Sequence, residues 1–117
     1  MCHIGRNVTI GDNSNIQGSN YIADRTTIGA SVFIGPNSTI LNDKYPPSGD
    51  AEKWIPVELH NHAVVGGGCT LLPGANLGES SVLGGGSVLT KPIPAGEVWA
   101  GNPARFLMTR EEYDNKR

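Results

Sequence analysis

The stretch IGRNVTIGDNSNIQGSNYIADRTTIGASVFIGPNSTI, residues 4–40, carries isoleucine at Ile4, Ile10, Ile16, Ile22, Ile28, Ile34 and Ile40, an unbroken spacing of six. A second run in a new register follows at Leu59, Val65, Leu71, Leu77, Leu83 and Leu89, which makes thirteen repeats. Two residues before each aliphatic stands a small or β-branched side chain: Val8, Ser14, Thr26, Val32 and Ser38, then Val57, Ala63, Cys69, Ala75, Ser81 and Ser87. Asn20 is the polar exception. Glycine follows the aliphatic at Gly5, Gly11, Gly29, Gly35, Gly66, Gly78 and Gly84.

Side chains two apart on a strand share a face, so the aliphatic and the small residue before it point the same way. A period of six is neither helical nor that of a simple hairpin. It fits a short strand, a corner, and the same again, with three sides closing a coil of about eighteen residues in a solenoid. A narrow prism holds one large side chain per side, which explains the small partner. Asp12-Asn13, Asp24 and Pro36-Asn37 fall where the chain must turn. Stacked coils pair in parallel and hide most strand edges. Cys2 and Cys69 both occupy the small slot and read as apolar fillers, as in a reducing compartment.

The rest of the chain is consistent with one domain. The 117 residues carry 9 basic and 11 acidic groups, a net charge of −2, with no basic stripe for a phosphate backbone, so nucleic acid is not an expected partner. Neither a leader nor a bilayer-spanning run is visible, and a cytoplasmic protein is the expectation. The solenoid is expected over 2–41 and 57–90. Between them Asn42–Pro56 (NDKYPPSGDAEKWIP) breaks the period and should leave the body as a loop, the usual seat of chemistry on a rigid scaffold. After Leu89 the prolines Pro92 and Pro94 predict the end of the ladder, leaving 91–117 as a tail in which Thr109-Arg110-Glu111-Glu112 opens a short helix with a capping box. Trp54 in the loop and Trp99 in the tail are expected to be exposed.

The repeats resemble the hexapeptide-repeat (bacterial transferase hexapeptide) superfamily over about Ile4 to Leu107. GGGSVLTKPIPAGEVWAGNPARFL, Gly84–Leu107, is similar to the family's closing segment. IGPNSTILNDKYPPS, Ile34–Ser48, is similar to a subgroup that N-acetylates nucleotide-linked amino sugars. The resemblance implies a left-handed parallel β-helix, a homotrimer with active sites at subunit interfaces, and acetyl-CoA as acyl donor. It supplies the hand, which periodicity does not fix and which opposes the usual right-handed crossover. The repeats start at Ile4, without the coils or nucleotide-binding domain that longer sugar N-acetyltransferases carry first, so a plain amino sugar or other small amine is also an expected acceptor.

Pantetheine is a slender amide chain that needs backbone donors and acceptors and little side-chain bulk. Gly66-Gly67-Gly68 and Gly84-Gly85-Gly86 lie eighteen residues apart, one coil, and should stack on one edge. Tight corners alone would also explain them. The resemblance places the cofactor at Gly67 and Gly85, with Thr90 adding a hydroxyl and Lys91 and Arg105 meeting the phosphates, in the family's settings TKPIP and GNPAR.

Acyl transfer needs an oriented nucleophile that loses a proton. An alcohol requires a base, usually histidine, and O-acetylating relatives carry one at the start of the loop. Here Leu41-Asn42-Asp43-Lys44-Tyr45-Pro46 has none. An amine acceptor is therefore expected, with Asp43 orienting it or accepting its proton and Asn42 bonding substrate or acyl group. The plain alternative for Asn-Asp after a strand is a turn. His60 is a further catalytic candidate, and with His62 it would serve O-acetylation of a sugar hydroxyl instead; both also read as surface histidines. A zinc site as in carbonic anhydrases of this scaffold is not expected, because His3, His60 and His62 have the wrong spacing. A non-catalytic β-solenoid scaffold would need neither the loop nor the closing segment.

Overall fold

The computed structural model describes all 117 residues, and they form a left-handed parallel β-helix. Each hexapeptide contributes a strand of two residues, except the one at Leu77, which joins by isolated bridges, and coils stack so that every third repeat pairs in parallel. On the first side Ile4, Ile22, Ile40, Leu71 and Leu89 lie in register. The second side stacks Ile10, Ile28, Leu59, Leu77 and Ile93. Ile16, Ile34, Val65 and Leu83 form the third, continued by Trp99. Apart from Ile93 and Trp99 these are the residues the six-residue period selects, and from Ile22 to Leu89 they are at most 1% exposed. Burying each aliphatic contributes about 1.5–3 kcal/mol. The outer coil is open on one face, so Ile4 and Ile10 remain 46% and 41% exposed.

The corners turn through the third residue after the aliphatic, held in the left-handed region, except after Ile40, where the loop leaves, and after Leu89, where Pro92 stands. Asn7, Asn13, Ser19, Arg25, Ser31, Asn37, His62 and Ser80 all have φ between 56° and 69°, and Gly68, Gly74, Gly86 and Gly96 fill the same place elsewhere. Side chains also stitch coil to coil at the corners. Asp24 accepts from the Arg6 amide at 2.8 Å, Asn61 from Ala30 at 2.9 Å and Asn76 from Glu58 at 2.8 Å. In the small slots the polar members are mostly satisfied by backbone, as where Ser38 Oγ donates to the Gly66 carbonyl and accepts from the Cys69 amide. Asn20 is tolerated because its Nδ2 donates to the Gln17 carbonyl while its Oδ1 accepts from the Ser38 amide.

The loop leaves the first corner, between the first and second sides, and returns to it. Asp43 and Trp54 bridge antiparallel, the Ile55 amide donates to the Asn42 carbonyl, and a single 3₁₀ turn at Ala51–Lys53 is capped by Asp50. Ile40 still stacks on Leu71, so the insertion costs the ladder nothing.

Four expectations need correction. Cys2 is exposed, because its coil has a neighbour on one face only; its Sγ donates to the Gln17 carbonyl. Trp54 is half-buried, with the Arg25 guanidinium 5.4 Å from its ring centre. The ladder does not stop at Leu89. Ile93 pairs with Leu77 although prolines flank it, because the bonds needed are its own: its N–H to the Asn76 carbonyl and its C=O from the Gly78 N–H. Strand Glu97–Gly101 then continues the third side, and Trp99 takes the inward slot above Leu83, half-buried against the core. Strand Ala104–Thr109 pairs back on it antiparallel. Helix Arg110–Lys116 begins with the expected capping box, and Arg110 ties it to the second corner by donating to the His62 and Ser80 carbonyls.

Candidate active site

The first corner forms a cleft of about 360 Å³ where the loop meets the stacked turns. Leu41, Leu72 and Pro73 give it an apolar floor, and Asp43, Lys44, Tyr45 and Thr90 surround it. Asp43 is fixed from one side only. Its Oδ2 accepts from the Ser48 amide at 2.8 Å, while Oδ1 is buried with no hydrogen-bond partner. A buried carboxylate oxygen left unpaired costs about 1–3 kcal/mol or more, which suits an atom kept for a ligand. Asn42 is half committed: its Nδ2 donates to the Asp24 carbonyl of the preceding coil at 3.1 Å. Lys91 follows Thr90 but leaves the cleft, its ammonium resting 5.6 Å from the Trp99 ring centre.

The glycine triplets stack at the third corner, between the third side and the next first side. Gly86 donates to the Gly67 carbonyl at 2.9 Å and Gly68 to the Pro36 carbonyl at 2.8 Å. A Cβ on Gly66 would lie 2.6 Å from the Gly85 nitrogen, so this edge admits no side chain there. Beside it lies a second cleft, about 480 Å³, with Gly66, Gly84 and Gly85 on one wall and Met108, Tyr113 and Lys116 on the other. The larger cleft is therefore not the one that holds Asp43. Arg105 is exposed on the returning strand, opposite Ala100. Beneath this corner Cys69 is buried. Desolvation pushes its thiol above the usual value, against backbone hydrogen bonds from Ser87, Gly86 and Gly66 that favour the thiolate. It is a packing residue, not a nucleophile.

His60 and His62 sit exposed at the second corner, between the second and third sides, with His60 Nε2 3.6 Å from Glu58 Oε1. His3 stacks on Tyr21 of the first side. One chain thus brings Asp43 and Thr90 into one cleft, stacks Gly67 on Gly85 at a second corner, and holds His60 at a third. Counting repeats in threes from Ile40 carries that separation in the sequence. Met108, Tyr113 and Lys116 were missed as cleft residues, since nothing in the sequence says that strand Ala104–Thr109 turns back on the third side, and nothing in a seven-residue polar helix says which face of the prism it covers.

Two hexapeptide models match the chain: the bacterial transferase hexapeptide (six repeats) over residues 7–42, and the hexapeptide repeat of succinyl-transferase over residues 53–91. The galactoside O-acetyltransferase of Escherichia coli is 34% identical over 118 residues, covering 96% of this chain and 56% of that protein. A maltose O-acetyltransferase from Clostridium difficile superposes with a TM-score of 0.75 at 27% identity, over 93% of this chain and 66% of that one. A GDP-perosamine N-acetyl transferase from Caulobacter crescentus, solved with CoA and GDP-perosamine, gives a TM-score of 0.77 at 23% identity, over 91% and 44%. The chain spans less than two thirds of the length of the curated relatives it matches, from 62% of one to 28% of another. Repeats, coil geometry and family models agree, and the chain belongs to the hexapeptide-repeat superfamily of left-handed β-helix proteins.

Proposed function

We propose that the protein transfers an acetyl group from acetyl-CoA to the amine of a small, sugar-type acceptor, and that it works as a homotrimer. The observation that carries the acceptor side is the unpartnered Asp43 Oδ1 in a cleft with no imidazole. In this reading Asp43 holds the amine through an N–H and takes its proton as nitrogen attacks the thioester carbon. The C–S bond breaks, the thiolate of coenzyme A leaves, and an amide forms. Asn42 has its side-chain oxygen to offer substrate. On the donor side the bare edge at Gly67 and Gly85 suits pantetheine, Thr90 adds a hydroxyl, and Lys91 and Arg105 reach the phosphates. Lys91 must swing off Trp99 to do so.

The trimer answers a geometric need. The candidate residues occupy three corners of one prism, and a shallow groove on a narrow solenoid deepens against a second copy. Relatives of both kinds bear on the acceptor. The similarity to the galactoside and maltose O-acetyltransferases favours a second reading, a sugar hydroxyl activated by His60 or His62 of a neighbouring copy. A scaffold without activity would have no use for the loop cleft.

Thiol release from acetyl-CoA separates these readings when amino sugars and the matching neutral sugars are compared. Amine-dependent release, cut about 10²-fold by Asp43→Ala, is the expected result. Release with galactosides that survives Asp43→Ala and is lost with His60→Ala or His62→Ala would establish the hydroxyl reading.

A further inference from the structure

We propose that Arg25 is a positioning residue for acyl transfer: by gripping Trp54 it fixes the returning stem of the loop, and with it the direction in which Asp43 presents its free oxygen. The inference rests on the acyl-transfer reading and extends it to the coil before the loop. Arg25 stands at the first corner of that coil with φ 69°. The other seven non-glycine residues held in the left-handed conformation are asparagine, serine or histidine. Asparagine enters that region readily, whereas a long-stemmed side chain is strained there. Strain of this kind persists where the side chain is used. Arg25 is exposed and in no ion pair. What it touches is the loop. Its guanidinium lies 5.4 Å from the Trp54 ring centre, within reach of a cation–π contact, and Nη1 donates to the Ala51 carbonyl at 3.4 Å.

The same corner also holds the outgoing stem. The Asp24 carbonyl accepts from Asn42 Nδ2 at 3.1 Å, so two adjacent residues grip both stems of the loop. Trp54 bridges Asp43 directly, strand to strand. Asp43 has one side-chain hydrogen bond, from the Ser48 amide, and Ser48 moves with the loop. No residue of the coils bonds to the carboxylate, so its aim depends on the stem opposite. That stem is tied to the next coil where the Ile55 carbonyl accepts from the Gly74 amide at 2.9 Å, which leaves Arg25 to hold it from the other side. Acyl transfer is sensitive to such placement, since an ångström of misalignment can cost about 10²-fold.

The test uses the full chain and acetyl-CoA, with D-glucosamine, free and UDP-linked, as acceptor probes and thiol release as the readout. Arg25→Asn gives the corner a residue type already present at Asn7, Asn13 and Asn37 and removes the guanidinium. It should lower kcat about tenfold with KM and the coenzyme A thermal shift unchanged, and its melting temperature should not fall. Amide exchange over residues 42–56 should quicken in this variant while the coils keep their protection. Arg25→Lys, which keeps a cation for the ring, should recover most of kcat, and Trp54→Phe should exceed Trp54→Ala. Arg25→Asn and Trp54→Ala together should cost no more than the worse of the two alone, because they break one contact. A wild-type kcat in Arg25→Asn, a rise in KM alone, as for a group that touches substrate, or an activity loss that only tracks lost stability overturns the proposal and leaves acyl transfer standing. Coenzyme binding by the wild-type protein without turnover of either sugar overturns both.

Discussion

His62 is held at φ 63° with its side chain exposed, in the left-handed region that costs a β-carbon-bearing residue about 1–2 kcal/mol. His62→Gly should therefore raise stability by about 0.5–1 kcal/mol, after the entropy of the added glycine is counted; thermal melting checks it. Gly66→Ala should act the other way, by about 1–3 kcal/mol, because the new carbon lands on the Gly85 nitrogen and the coils must part. Ser81 offers a third case. Its hydroxyl is fully buried and bonds to nothing, so Ser81→Ala should stabilise by about 1 kcal/mol. The two thiols should differ in reactivity: iodoacetamide modifies exposed Cys2 in the native protein and reaches Cys69 only on unfolding.

Among the elements, the terminal helix depends most on its first turn. The Thr109 amide and hydroxyl hold the Glu112 carboxyl below its usual range, because both hydrogen bonds favour the charged form. A lowered folded-state value means the cap contributes fully above the ordinary carboxylate range. That contribution disappears as pH falls through the lowered value. Amide protection in Arg110–Lys116, taken relative to the intrinsic exchange rate at each pH, should fall on acidification while that of the coils does not, and Thr109→Ala should flatten the dependence. Arg110 anchors the same turn to the coils: Arg110→Ala removes the bonds to His62 and Ser80 and should loosen the helix from the second corner without unfolding the solenoid. Two of the four corrected expectations belong to this scale. Trp99 was missed because the last coil is two residues short. Ile93 and Trp99 each stand sixteen residues beyond their partners, outside the period, and an aromatic replaces the aliphatic. Proline around Ile93 looked terminal because its cost falls on the proline's own nitrogen, and the pairing here uses other atoms.

At the scale of the molecule, the prism measures 44 × 28 × 22 Å, and its architecture was legible because thirteen positions repeat one instruction. The candidate site was legible only as a set of residues. Asn42, Asp43 and the glycine pair could be picked from residue chemistry and resemblance. Which of them share a cleft depends on corner count and on how the tail folds back. Light scattering on purified protein should give three times the mass of one 12.3 kDa chain. A monomer that still turns over substrate would remove the shared site.

The loop returns to the corner it left, and the coils on either side keep their alignment: Ile40 and Leu71 stack although thirty-one residues separate them, where Ile22 and Ile40 are eighteen apart. Such an insertion behaves like an interchangeable cassette. Its length and chemistry can drift, or be transplanted from another member of the superfamily, while the glycine edge stays untouched, so under the proposed function new acceptors could be acquired without redesigning the donor half.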